Sequence, residues 1–125
     1  NCWRFDYSET SRMKGKTAEL SKNFDAALIF ADVLGYAAQN IYHIKWKCAM
    51  STDIPWYIHE LPTVFISLNF TTHLTDVPMV RTYINAYKDT REVIRQTIQK
   101  IMGESEFKGT HFNENVWCNL WETKI

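Results

Sequence analysis

Two short, unbroken apolar runs constrain this chain more than any other feature. Ala26-Ala27-Leu28-Ile29-Phe30-Ala31 lies between Asp25 and Asp32, and Thr63-Val64-Phe65-Ile66-Ser67-Leu68 lies between Pro62 and Asn69. Runs of this length without alternation suit strands covered on both faces, as in a parallel sheet; buried helix segments are the alternative, against which the runs' length and β-branched content argue. Neither approaches the ~20 apolar residues of a membrane helix. With 125 residues, 46% of them hydrophobic, the chain has material for one domain that buries roughly two-thirds of its unfolded surface. Five Trp, six Tyr and seven Phe with only four Gly and three Pro exclude a disordered or low-complexity segment. Fourteen basic residues balance fourteen acidic ones, so the chain lacks the cationic footprint of a nucleic-acid binder.

Other segments fill in the pattern. Asn1–Tyr7 alternates and predicts a strand; Ser8–Asn23 is polar with a weak helical face (Met13, Ala18, Leu20) interrupted by Gly15. Asp53–Leu61 predicts a short helix with Pro55 in its first turn, and Val80–Tyr87 a third core strand. The clearest helix follows. Asp89 stands as its cap, Glu92 three residues on, with a stripe of Val93, Ile94, Thr97, Ile98, Ile101 and Met102, and Gly103 as a left-handed stop. The Phe- and Trp-containing tail, Glu104–Ile125, is expected to pack as an ordered extension. Strand and helix alternate, which indicates a layered α/β domain over residues 1–125.

The chemistry is sparse. Gly15, Gly35, Gly103 and Gly109 form no phosphate-binding loop, and no cofactor is expected. His43, Cys48, His59, His73, His111 and Cys118 show no metal-ligand spacing, so no metal site is expected. The odd set Cys2, Cys48 and Cys118, without a visible signal peptide, favours reduced thiols and a cytoplasmic setting, with a secreted or cell-associated one as the alternative. Asn69-Phe70-Thr71 fits a glycosylation acceptor, which matters only in a eukaryotic secreted protein.

His73 and Asp76 follow the second apolar run, where open α/β folds bind ligands beyond the carboxyl ends of their strands. A His oriented by a carboxylate can serve as acid or base. The plainer alternative is that His73 packs its loop and Asp76 starts a turn before Pro78. Among Asp53, Glu60, Asp76 and Asp89 no spacing singles out a glycosidase pair. Trp3, Trp46, Trp56, Trp117 and Trp121 could stack on a sugar, though Trp more commonly serves a core or an interface.

From Ile54 onward the residues are more specific. Ile54-Pro55-Trp56-Tyr57, Glu60 to Asn69, His73-Leu74, Asp76-Val77-Pro78-Met79-Val80 and Thr82 to Tyr87 occur in order. Together with the helix and the close Gly103-Glu104-Ser105-Glu106-Phe107-Lys108-Gly109, they resemble the C-terminal domain of glycoside hydrolase family 3. The nearest likeness is to its bacterial β-N-acetylhexosaminidase-like members. The tail Asn113–Trp121 and the segments Ala26–Ala31 and Ile44-Lys45-Trp46 extend the resemblance over about residues 24–125.

That resemblance implies a three-layer α/β/α sandwich with a mostly parallel sheet. It also implies a partner (β/α)8 barrel, in the same or another chain, that holds the nucleophilic Asp and, in the hexosaminidase branch, a His–Asp acid/base pair. Neither motif stands here, so no catalytic residue is assigned and His73 and Asp76 do not inherit that role. The acid/base carboxylate that the β-glucosidase branch places in this domain matches no position here. Such domains usually run longer at the N-terminus, so the expectation is either that the first strand and helix are missing or that the chain is an excised piece; the tail also lacks the Pro-Val-Asp ending of other branches. The expected function is an accessory domain that packs on the barrel and shapes the substrate groove, with carbohydrate contacts from Asn69, His73 and Asp76. The alternatives are a freestanding saccharide-binding module, a protein-interaction module, and an independent enzyme using His73 and Asp76. Neither nucleic acid nor membrane is an expected partner.

Overall fold

The computed structural model describes residues 21–33, 43–44 and 56–109. The strand expected at 1–7, most of the helix expected at 8–23, the tail beyond 109, the three cysteines, His111 and Trp3, Trp46, Trp117 and Trp121 lie outside the described residues. Two compact units divide the chain, Asn1–Ile94 and Arg95–Ile125.

The first unit is built on a parallel sheet of β1 (Ala27–Ala31), β2 (Thr63–Ser67) and β3 (Thr82–Asn85), in that spatial order. Ile29 pairs with Phe65 and Phe65 with Tyr83; Ser67 pairs with both Ala31 and Asn85. Parallel neighbours require crossovers of about a dozen residues or more, and the long segments after β1 and β2 supply them. The α/β class and the parallel arrangement expected from the apolar runs are therefore present. Ser21, Lys22 and Asn23 are helical, in line with the polar segment that precedes β1.

Burial separates the two apolar runs. On the central strand β2, Thr63, Phe65, Ile66 and Ser67 are buried and Val64 is half-buried, so both faces are covered. On β1, Ala27 and Ile29 are buried but Leu28 and Phe30 are 40% and 38% exposed. The expectation that both runs are covered on both faces is thus corrected for β1. β2 lies between β1 and β3 and is packed on both faces, whereas β1 borders the three described strands and is packed only on its Ala27 and Ile29 face.

That packed face carries the core. Ile29 and Phe65 meet Val77, and Ala31, Ile44, Tyr57, Met79, Val80 and Tyr83 close around them. Phe65 and Tyr83, opposite each other on adjacent strands, stack with centroids 5.7 Å apart and planes 7° from parallel. The helix expected at Asp53–Leu61 is, in its described part, a 3-10 turn at Trp56–His59. Its end is tied by the Leu61 N–H to the Tyr57 carbonyl at 2.8 Å, which buries Leu61. The next residue, Pro62, has no N–H with which to continue the turn, and its carbonyl accepts the Ala27 N–H at 2.9 Å.

After β3 the chain enters α1 (Arg91–Ile101). The cap is one residue later than the spacing suggests. Thr90 Oγ1 accepts the Val93 N–H at 3.4 Å, and the Thr90 carbonyl accepts the Ile94 N–H. Asp89 therefore lies outside the helix, because the Thr90 hydroxyl already meets one of the amides left free at the first turn.

The second unit contains the rest of α1 and its stop. Gly103 has φ 78°. Its N–H bonds the Lys100 carbonyl at 3.1 Å and the Glu104 N–H bonds the Gln99 carbonyl at 2.9 Å, a paired Schellman closure. Met102, expected on the apolar stripe, is 70% exposed because it follows the last helical residue. Lys100 Nζ donates to the Glu106 carbonyl at 2.5 Å and lies 5.8 Å from the Phe107 ring centroid. No helix among the described residues is long and apolar enough to cross a membrane.

Candidate functional site

The carboxyl ends of β1, β2 and β3 lie side by side, and the segment following β2 (residues 68–76) is the most constructed part of that edge. It starts where the Leu68 N–H bonds the Ala31 carbonyl at 3.0 Å. Asn69 comes next and is half-buried. Its side-chain Nδ2 donates to Asp32 Oδ1 at 2.5 Å, joining the loop after β2 to the residue that leaves β1. An amide and a carboxylate thus sit together at an exposed position above the sheet.

Beneath the loop lies a buried polar group that the apolar run conceals. Ser67, the last residue of β2, is 1% exposed and His73 is fully buried. Ser67 Oγ donates to the Phe70 carbonyl and stands 2.8 Å from His73 Nδ1. A hydroxyl has one proton to give, so the Ser67 oxygen accepts from a protonated Nδ1, which sets the His73 tautomer. Phe70 closes over His73 edge to face, with centroids 6.1 Å apart. Tyr83 supports the same loop, its hydroxyl donating to the Thr71 carbonyl at 3.3 Å. Burial, with a smaller push from the Asp76 carboxylate, raises the Tyr83 hydroxyl to about 12, against the lowering effect of nearby loop backbone. Thr75 Oγ1 donates to the Thr72 carbonyl at 2.7 Å, and His73–Thr75 form a 3-10 turn.

Asp76 ends the turn and faces elsewhere. One carboxylate oxygen lies 2.6 Å from His43 Nδ1 and the other accepts the Ile44 N–H at 3.0 Å. It clamps residues 43–44 to the loop, while the His43 ring remains largely exposed. The structure therefore brings His73 to Ser67 and Asp76 to His43, and does not join His73 with Asp76 as an acid/base pair. Of the three residues expected to contact carbohydrate, Asn69 reaches the open edge, His73 lies under it and Asp76 anchors its far end. Among the described residues no group of three His, Cys, Asp or Glu side chains could hold a metal ion.

Sequence reasoning gave no role to Asp32, Ser67 or Tyr83 and weighed His43 only as a metal ligand. Ser67 carried a legible signal, a hydroxyl at the end of an otherwise apolar strand, because a buried polar group needs a partner. His43 and Asp32 carried none, since their contacts join residues 33 and 37 positions apart.

No protein-family model matches the chain. It is similar to a β-N-acetylglucosaminidase/β-glucosidase of Cellulomonas fimi, 31% identical over 113 residues that make up 90% of this chain and 20% of the relative. Among solved structures it is similar to β-glucoside phosphorylase BglX, with a TM-score of 0.66 and 34% identity over 75% of this chain and 16% of that one. The chain thus spans about one fifth of the length of the curated relative it matches.

Proposed function

Since this chain is a C-terminal α/β domain of glycoside hydrolase family 3, we propose that it works beside a catalytic (β/α)8 barrel, packs on it and shapes its substrate groove. It is not catalytic alone. The observation that carries this reading is the match itself, which takes up nearly all of the chain yet only 20% of an enzyme. The loop supports it: residues 68–76 are held from below by Ser67, His73 and Tyr83 and from the side by Asp76, as a binding loop on a rigid scaffold requires. Asn69 makes the direct saccharide contact in this reading, and His73 and Asp76 contribute by fixing the loop that presents it.

The relatives' names suggest a β-glucoside or a β-N-acetylglucosaminide as substrate. They also suggest two acceptors for the released glycosyl group, water as in a hydrolase or orthophosphate as in a phosphorylase. The exposed Leu28 and Phe30 give the chain apolar surface for a protein contact, which also favours a second reading, a freestanding interaction module.

The test is release of 4-nitrophenol from its β-glucoside and β-N-acetylglucosaminide, with and without phosphate. It is run on the chain alone, on the barrel alone and on the two together. No release by the chain alone, and a KM for the barrel that falls several-fold when the chain is present, is the expected result. Turnover by the isolated chain that disappears in His73→Ala, or a barrel KM indifferent to the chain, would overturn the reading.

A further inference from the structure

At the carboxyl end of the sheet, Tyr87 adopts a backbone that its own side chain disfavours. Its φ is 64°, the left-handed region in which a bulky side chain is strained. Burial does not reward the strain, because Tyr87 is 50% exposed. Two hydrogen-bonding observations fix its location. Asn85 pairs with Ser67, and the Ala86 N–H still bonds the Ser67 carbonyl at 2.8 Å. Tyr87 therefore stands two residues past that pair on one strand, as Asn69 does on its neighbour, and Asp32 is the first residue after β1. Parallel strands lie about 4.8 Å apart, so Asp32, Asn69 and Tyr87 span roughly 10 Å of one edge, enough to seat a sugar ring. At the same end Asn85 Oδ1 is buried without a hydrogen-bond partner, an acceptor that a hydroxyl can satisfy.

These parts match the two faces of a pyranose. The ring presents an apolar surface of C–H groups, which an exposed aromatic ring covers, and a rim of hydroxyls, which a carboxylate and an amide bind through directional hydrogen bonds. We propose that Tyr87 is the stacking platform of a pyranose-binding subsite whose hydroxyl contacts come from Asp32 and Asn69. The positive φ turns the chain abruptly at the end of β3. The proposal rests on the saccharide-groove reading above and names the residue that carries affinity within it.

Isothermal titration of the protein in its native assembly with N,N′-diacetylchitobiose and with cellobiose tests it, alongside thermal melts. Tyr87→Gly is expected to weaken binding of the preferred sugar tenfold or more with Tm unchanged or raised, since glycine takes this φ without strain. Tyr87→Phe, which keeps the ring, is expected to bind within about twofold of wild type. Asn69→Ala serves as a second variant away from the strained position, with weaker binding expected at unchanged Tm. Wild-type affinity in Tyr87→Gly, or a loss in Tyr87→Phe as large as in Tyr87→Gly, overturns the stacking role while leaving the groove reading intact. A fall in Tm for Tyr87→Gly without weaker binding assigns Tyr87 to packing and overturns it as well. Wild-type protein that binds neither sugar overturns the groove reading and the subsite with it.

Discussion

Replacing Ser67 with alanine removes one oxygen and should disturb the whole loop. The hydroxyl does two things at once: it donates to the Phe70 carbonyl and accepts from His73 Nδ1 at 2.8 Å. A net intramolecular hydrogen bond contributes about 1 kcal/mol, but a buried donor left without its acceptor loses about 1–3 kcal/mol. His73 is fully buried and Ser67 is 1% exposed, so water cannot readily take the hydroxyl's place. Ser67→Ala should therefore lower stability by about 2–3 kcal/mol, with Tm lower by on the order of 10 °C. Urea unfolding followed by circular dichroism measures the loss, and a double-mutant cycle identifies its source. His73→Phe also removes the Nδ1 donor, so Ser67→Ala in that background should cost at least about 1 kcal/mol less than in the wild type. A Ser67→Ala loss under about 0.5 kcal/mol, or strict additivity in the cycle, would refute the claim that this buried pair holds the loop.

Three further outcomes follow from the geometry. Tyr83 keeps its proton up to about pH 12, against 10.0 for an ordinary tyrosine. The folded chain thus binds more protons than the unfolded one between those values, and this contribution, complete below pH 10, is lost as pH rises toward 12. Allowing for the half-buried ring, wild type should lose on the order of 1 kcal/mol more than Tyr83→Phe between pH 9.5 and 11, and equal losses in alkaline urea titrations would contradict the assignment. Gly103→Ala should destabilise by about 1 kcal/mol. Nothing lies within 4 Å of the added Cβ, so this loss comes from the positive φ alone, and unchanged urea unfolding would argue against the closure. Asp76→Ala removes the acceptor of the Ile44 N–H and the partner of His43. It should cost about 1–2 kcal/mol and raise amide exchange at residues 43–44; unaltered exchange there would show that Asp76 is not the clamp.

Comparison of particular elements shows how far local signals reach. β2 and α1 were legible because each carries its pattern within a few consecutive residues: an apolar run between Pro62 and Asn69, and a stripe closed by Gly103. The cap moved from Asp89 to Thr90 because two neighbouring side chains could each serve, and the geometry of the first turn selected between them. Asp53–Leu61 formed a 3-10 turn in its described part, since an apolar helical face does not distinguish one turn from several. His73 and Asp76 illustrate the limit most directly. Their spacing suggested a pair, yet each side chain found a partner contributed by another part of the chain.

The amino-acid order by itself determined the α/β class, the parallel character of the sheet and the stop of α1, because these depend on period, run length and the backbone freedom of one glycine. Tertiary structure decided which strand is covered on both faces, which residue holds the His73 ring, and which elements Asp76 and Asn69 tie together. It also decided that Tyr87 turns through a left-handed backbone at the open edge. These outcomes depend on what distant segments bring to the same few ångströms, and desolvation ranks the available partners only once they are there. A serine at the end of an apolar strand becomes an anchor when a buried histidine lies 2.8 Å away, and no local pattern encodes that distance.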